Sequence, residues 1–239
     1  MAGAVDGTEG TIRRFSAASR VAHWALAIPF LMLLASGLLL FLPSVKAVHV
    51  GGYRLVPLIH ILSGVLFALA APVVWLAAPG RRWLRADLRR LLRVEALDRA
   101  WLRYAGYALL GAKLAAPPVG KFNAGQKLNT AAMLLLSFGL CLSGAVLGVN
   151  FFTKAVFASA FVERVFPLHD LFMLLALPLV AGHVYLATIN PGTRPSLRGM
   201  FDGRVRRDWA LAHHREWVRE LPAPGDGQQA SGTGSSAES

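Results

Sequence analysis

Residues 167–187 read PLHDLFMLLALPLVAGHVYLA and set His169 and His183 inside one apolar run of membrane length. The fourteen steps between the two histidines close almost four helical turns and cover roughly 21 Å along the axis. Both imidazoles therefore fall on nearly the same helix face, at two depths. Because polar side chains inside a bilayer are costly and usually functional, this spacing favours two ligand positions over two hydrogen-bonded core histidines.

The composition predicts an integral membrane protein. Of the 239 residues, 55% are hydrophobic and only 16% are charged, which is too apolar for an ordinary soluble domain. Runs long enough to cross a hydrocarbon core of roughly 30 Å lie near residues 21–42, 57–78, 129–150 and 166–188. The sequence therefore predicts an all-α bundle of four transmembrane helices. The single cysteine, Cys141, excludes a disulfide framework and a cysteine-based cluster.

The net charge of +12 is distributed as a topology signal. Three Lys or Arg residues precede the first run, eleven lie between runs two and three, and seven follow run four, whereas the other two loops hold two each. By the positive-inside rule, both termini and the long middle loop are expected in the cytoplasm. The basic surface is thus interpreted as an orientation and headgroup signal rather than as a nucleic-acid site.

Two further histidines lie in apolar runs at matching depths. His23 begins the first run near the cytoplasmic surface, and His60 begins the second run near the outer surface. This predicts an outer pair, His60 with His169, and an inner pair, His23 with His183, each suited to a bis-histidine haem. Two ligands are too few for zinc in its usual four-coordinate geometry. A proton relay through the histidines stays open, although Asp170 is almost the only acidic neighbour.

Other positions have weaker indications. Gly37 lies fourteen residues after His23, where a missing side chain leaves room for a flat ring or for close helix packing. Residues 81–93, RRWLRADLRRLLR, have the period of an amphipathic helix at the inner headgroup layer. Asn123, Gly125 and Gln126 form a polar turn before the third run. The histidines outside the apolar runs, His49, His213 and His214, are predicted to be surface residues.

The predicted organisation has three parts. Residues 1–12 and 221–239 are expected to be disordered, because they are small, polar and flexible in composition. Residues 13–220 form the four-helix domain, with a cytoplasmic loop at 79–128 and a basic cytoplasmic extension at 189–220. The N-terminus lacks the pattern of a signal peptide, so the first helix is expected to be retained.

Several stretches together resemble one family. They are RVAHWALAIPFLMLLASGL (20–38), LIHILSG (58–64), GKFNAGQK (120–127), the helix with His169 and His183, and SLRGMFDGRVRRDWALAHHREW (196–217). In this order they are similar to the gamma subunit of membrane-bound formate dehydrogenase, a di-haem cytochrome b related to the b-type cytochromes of nickel–iron hydrogenases. The similarity runs from about Arg14 to Glu220.

The resemblance implies roles for individual residues. The family's haem ligands fall on His23, His60, His169 and His183, and its quinone-lining turn falls on Asn123, Gly125 and Gln126. Asp170 departs from the small apolar residue that the family tends to have there.

The resemblance also implies partners and a route. An iron–sulfur subunit and a catalytic subunit with molybdenum or tungsten bound to molybdopterin would oxidise formate. This chain would pass their electrons through two haem b groups to quinone in the bacterial cytoplasmic membrane, without itself acting on formate. Arg20, near the inner ligand, is a candidate partner for a haem propionate, because a partly buried arginine seeks an anion.

Alternatives stay open from the sequence alone. A related cytochrome b could serve a hydrogenase or a thiosulfate or polysulfide reductase, and co-purifying subunits would distinguish these. The chain could also be a haem-free proton pathway or a structural membrane anchor.

Overall fold

The computed structural model describes residues 10–44, 48–77, 81–153 and 156–221, which are mostly helical. In chain order the elements are β1 (Thr11–Arg13), α1 (Ala17–Leu39), β2 (His49–Val50), β3 (Tyr53–Arg54), α2 (Leu55–Ala77), α3 (Arg81–Leu92), α4 (Ala96–Leu109), α5 (Ala124–Thr153), α6 (Ser159–Thr188), a 3-10 helix (Arg194–Met200), β4 (Arg204–Arg206), α7 (Arg207–His213) and α8 (Arg215–Arg219).

Four of these helices are long and apolar enough to cross a membrane: α1, α2, α5 and α6. The prediction of four transmembrane helices is confirmed, and each helix overlaps its predicted range. Helices α1 and α2 have 23 residues and α5 and α6 have 30, or about 35 and 45 Å at 1.5 Å per residue. Leu66 and Leu135 are 60% and 73% exposed, because the outward faces of these helices meet lipid rather than protein.

The four helices form two packed hairpins. Helix α1 packs mainly on α2, and α5 packs mainly on α6, while α2 also contacts α5. The link from α1 to α2 contains the short ladder of β2 and β3, whose turn at Gly51 and Gly52 has φ of +56° and +81°. Two positive φ angles in a two-residue turn match the twist of a β-hairpin and favour glycine.

The middle loop contains two helices rather than one. The amphipathic segment predicted at residues 81–93 is α3, but α4 was not predicted from the sequence. Helix α4 begins with a capping box in which Asp98 accepts from the Glu95 N–H at 2.7 Å. Lys127 of α5 donates to Asp98 at 2.8 Å and to the Arg93 carbonyl at 3.1 Å. This buried lysine therefore holds the α3–α4 connection against α5.

The first and last segments of the described chain fold into one unit, the terminal cap, made of β1, the 3-10 helix, β4, α7 and α8. Strand β1 pairs antiparallel with β4, from Thr11 opposite Arg206 to Arg13 opposite Arg204. Val205, Trp209 and Trp217 form the apolar core of the cap. The predicted disorder of residues 1–12 is therefore wrong for residues 10–12, because β4 pairs with residues 11 and 12 and the Arg207 N–H donates to the Gly10 carbonyl at 2.8 Å. The predicted disorder of residues 221–239 is likewise wrong for Leu221, which packs against the core of the cap. Residues 1–9 and 222–239 lie outside the described part of the chain.

A buried polar cluster joins the cap to the bundle. Arg14, 3% exposed, donates to the Lys121 carbonyl at 2.9 Å and to His214 Nε2 at 3.0 Å. His214 Nδ1 lies 2.8 Å from the Gly120 carbonyl and therefore donates to it. Lys121 also pairs with Asp87 of α3, which accepts from Ser19 of α1 at 3.0 Å.

The polar cluster corrects the prediction that His214 is a surface residue. Its side chain is buried at 3% exposure, whereas His49 and His213 are exposed as predicted. Burial, followed by the nearby Arg14 charge, lowers the pKa of His214 to about 3. Burial lowers the pKa of Arg14 to about 10, against the opposing effect of Asp87. Arg14 is therefore charged and His214 neutral at neutral pH.

Candidate haem sites

The structure brings the four transmembrane histidines together as two pairs. His60 of α2 faces His169 of α6, with ring centroids 6.2 Å apart and ring planes at 80°. His23 of α1 faces His183 of α6, with centroids also 6.2 Å apart and planes at 51°. One long helix therefore supplies a histidine to each pair, and the first hairpin supplies both partners.

The spacing within each pair fits two axial ligands of one metal. A histidine–metal bond of about 2.0 Å, with about 1.1 Å from each nitrogen to its ring centroid, separates two opposed imidazoles by about 6.2 Å. Both observed separations equal this value. Within residues 10–44, 48–77, 81–153 and 156–221, no group of three or more His, Cys, Asp or Glu side chains could hold a metal ion. The donor set fits haem, which supplies four further nitrogens itself.

A serine hydroxyl fixes the tautomer of His60. Ser36 of α1 is buried, and its Oγ donates to the Met32 carbonyl at 2.6 Å, one turn earlier on the same helix. Because that donation uses the only hydroxyl proton, Ser36 Oγ must accept from His60 Nδ1, 2.9 Å away. His60 Nε2 is therefore left without a proton and is free to bind a metal.

The same arrangement recurs at His169. Ser143 of α5 is buried, and its Oγ donates to the Gly139 carbonyl at 2.7 Å. It accepts from His169 Nδ1 at 2.8 Å, so His169 Nε2 is also free. The two outer histidines thus have equivalent partners on the first helix of each hairpin. The sequence signal was the dipeptide Ser-Gly, at residues 36–37 and 143–144, within an apolar run.

Glycine follows each of these serines for a steric reason. A Cβ at Gly37 would lie 3.3 Å from His60 Cε1, and a Cβ at Gly144 would lie 3.3 Å from His169 Cε1. A larger side chain at either position would push the imidazole away from its serine. Gly37 therefore lies at the depth of the outer pair, as its spacing from His23 predicted.

The inner pair has a different environment. His23 Nδ1 is buried, and within the described residues no hydrogen-bond partner reaches it. The His23 ring meets Trp24 edge-on with centroids 5.2 Å apart, and Trp24 Nε1 donates to the Met200 carbonyl of the terminal cap at 2.9 Å. His183 is exposed on α6. The cap therefore contacts the inner site through Trp24.

Arg20 and Asp170 lie close to the two sites. Arg20 is half-buried one turn before His23, and its Nη1 would be 2.6 Å from a Cβ at Gly203 of the cap. Asp170 is half-buried beside His169. The contact of Arg20 with a haem propionate stays a prediction.

The polar turn before α5 has a clear structural role. Asn123 Oδ1 accepts from the Gln126 N–H at 2.8 Å, and Gln126 Oε1 accepts from the Asn123 N–H at 3.0 Å. This reciprocal pair satisfies two free donors at the start of the helix, as a capping box does. A Cβ at Gly125 would lie 3.0 Å from Trp101 of α4, so a larger residue would have to displace the indole ring. Both side-chain amide groups still have NH₂ donors available for a ligand.

Comparison with known proteins gives a consistent result. The model of the prokaryotic cytochrome b561 family matches residues 14–203. The nitrate-inducible formate dehydrogenase cytochrome b556(Fdn) subunit of Escherichia coli K12 is 25% identical over 84% of this chain and 88% of its own length. The cytochrome b556(fdo) subunit from the same strain is 25% identical over 88% and 93%. The formate dehydrogenase cytochrome b556 subunit of Haemophilus influenzae is 27% identical over 87% and 83%.

Proposed function

Because the chain belongs to the prokaryotic cytochrome b561 family, we propose that it is the membrane-anchoring cytochrome b subunit of a formate dehydrogenase. In this role it carries electrons from an iron–sulfur subunit to the quinone pool and does not itself act on formate. The observation that carries the proposal is the presence of two histidine pairs with the same 6.2 Å spacing. The pairs lie roughly 21 Å apart along α6, so they offer two metal positions at two membrane depths.

Each residue has a separate task in this function. His60 and His169 hold the outer haem b, and His23 and His183 hold the inner one. Haem b, when bound, supplies a centre that gains or loses one electron. The serines accept from Nδ1 of His60 and His169 and the adjacent glycines leave room for both rings, so Nε2 of each ring is available to a metal. Exposed leucines on the lipid-facing sides of the long helices keep water away from the helix pairs.

The orientation follows from charge. We place both termini, the segment with α3 and α4, and the terminal cap in the cytoplasm, because lysine and arginine concentrate there. His60 and His169 are then near the outer surface of the bacterial cytoplasmic membrane. The iron–sulfur subunit and the molybdopterin-containing subunit bind on that side.

Quinone binds at the cytoplasmic end, against the turn before α5. The NH₂ groups of Asn123 and Gln126 can donate to a quinone carbonyl while their oxygens stay in the capping box. Gly125, between these two residues, packs against Trp101 and is the third proposed quinone contact. Proton uptake from the cytoplasm at this end would separate charge across the membrane, and Arg20 is available to pair with a propionate of the inner haem.

The decisive experiment is a reduced-minus-oxidised optical spectrum of the purified chain, with haem quantified per polypeptide. We expect two b-type haems, one haem after His60→Ala and one after His183→Ala. The matched control is His49→Ala, which changes an exposed histidine and should retain both haems. In the assembled complex, His183→Ala should stop quinone reduction while formate oxidation by artificial acceptors continues. A folded chain with fewer than two haems would refute the proposal.

A further inference from the structure

The outer and inner histidine pairs differ in their hydrogen bonding, and the groups responsible are side chains of this protein. Both outer histidines donate Nδ1–H to a buried serine, whereas His23 Nδ1 has no partner within the described residues. We propose that Ser36 and Ser143 are positioning residues that lower the reduction potential of the outer haem relative to the inner one. The inference rests on the proposed function, since it requires haem at both pairs.

The physical reason is the effect of a hydrogen bond on ligand strength. An acceptor on Nδ1–H increases the electron density of the imidazole and makes Nε2 a more basic ligand. A more basic axial ligand stabilises ferric iron more than ferrous iron, so the reduction potential of the haem falls. Because both outer ligands have such an acceptor, the two effects act on the same iron.

Neither serine hydroxyl can donate to its histidine, so each Oγ acts as an acceptor toward Nδ1. Each hydroxyl proton is directed to a carbonyl one turn back, Met32 for Ser36 and Gly139 for Ser143. Both serines are only 5% exposed, so water does not compete for the histidine proton. The interaction is therefore a fixed property of the two hairpins.

The asymmetry has a direction. A lower potential at the outer pair than at the inner pair favours electron transfer inward, from the side of the iron–sulfur subunit to the side of the polar turn. The chain would thus set the direction through two hydroxyl groups rather than through different ligand types.

The test is a redox titration of the purified full-length cytochrome, followed optically and by electron paramagnetic resonance. The outer imidazole planes stand at 80° and the inner planes at 51°. More nearly perpendicular planes give the more anisotropic low-spin signal, which identifies the outer haem. We expect Ser36→Ala and Ser143→Ala each to shift the outer potential upward and leave the inner potential unchanged. Haem affinity at the outer pair should fall about 10- to 100-fold.

Two controls separate this role from simple packing. Ser36→Thr retains a hydroxyl and should restore the parent potential. Thr153→Val removes a hydroxyl that donates one turn back to Val149 on α5 at 3.0 Å, and it should change neither potential. If the alanine variants lose the outer haem, retention of that haem by Ser36→Thr and Ser143→Thr still supports the positioning role.

Three outcomes would overturn the inference. They are unchanged potentials in both alanine variants, equal shifts of both haems, or loss of the outer haem in the threonine variants as well. The haem content of the parent protein is measured on the same sample. Fewer than two haems in the parent would refute the proposed function, whereas two haems with unshifted potentials in the variants would refute only the role of the serines.

Discussion

Acidification should loosen the terminal cap through His214. Burial and the Arg14 charge hold the pKa of this histidine at about 3, against 6.5 for an unperturbed group. Because the folded-state pKa lies below the unfolded-state pKa, the opened cap binds the proton more readily. The stability is fully present above pH 6.5 and is lost as the pH falls toward 3.

The size of the effect follows from the pKa difference. At pH 5, about 1.5 units below 6.5, the loss is about 2 kcal/mol at about 1.4 kcal/mol per unit, or about a 30-fold increase in opening. Arg14, with a pKa of about 10, keeps its charge throughout this range. Interactions with Arg198 and Arg206 lower the pKa values of Asp202 and Asp208 from 3.8, despite opposing desolvation, so these carboxylates stay ionised between pH 7 and pH 5.

Hydrogen exchange measured at pH 7 and pH 5, corrected for intrinsic rates, tests this prediction. The protection factors of amides in β4, α7 and α8 should fall about 30-fold between pH 7 and pH 5. The protection factors of amides in α5 and α6 should not change in parallel. His214→Asn should remove most of the pH dependence whatever its effect on absolute stability. His213→Asn, on the neighbouring exposed histidine, should retain it. Equal protection of the cap at both pH values in the parent chain would refute the reasoning. So would a pH dependence of cap protection in His214→Asn that equals that of the parent.

Three further predictions concern substitutions. Asn123→Asp keeps a good N-cap but removes an amide donor, so quinone turnover should fall while thermal stability changes by less than about 1 kcal/mol; equal losses of both would show that capping alone matters. Gly139→Ala places a Cβ 2.6 Å from the Phe172 ring and should destabilise the α5–α6 hairpin by about 1–3 kcal/mol in chemical denaturation. Gly203→Ala, at φ +84° with Phe15 O 2.7 Å from the new Cβ, should destabilise the cap more than Gly111→Ala, at φ +87° with nothing within 4 Å. Similar hydrogen-exchange rates of the cap amides in those two glycine variants would contradict the proposed clash between a Cβ at position 203 and the Phe15 carbonyl.

The bundle could be predicted because its signals are local. Apolar runs of about 20 residues identify membrane helices directly. The fourteen-residue interval between His169 and His183 fixes their relative depth through helix geometry alone. The prediction of their partners, His23 and His60, then required only that successive helices cross the membrane in opposite directions. In the structure each of those pairs has the same separation.

The features that were missed depend on contacts between distant segments. No local pattern marks Thr11–Arg13 as a strand, because its partner strand lies about 190 residues later. His214 follows another histidine in a basic segment, and its burial depends on Arg14 and Gly120 from two other parts of the chain. The capping role of Asn123 and Gln126 was locally readable as a spacing of three residues before an apolar helix. The sequence instead predicted a polar turn, to which the family resemblance added quinone contacts.

The pairing of β1 with β4 has a consequence for biogenesis. Strand β1 precedes α1, and β4 follows α6, so their ladder can form only after all four long helices have been synthesised. His23 likewise has no partner until His183 is synthesised, because α6 is the last of the four long helices in the chain. Both histidines of the inner pair are therefore present only after α6 has been synthesised, and the cap can close only after that point. A nascent chain stalled before α6 would present His60 and His23 without either of their partners.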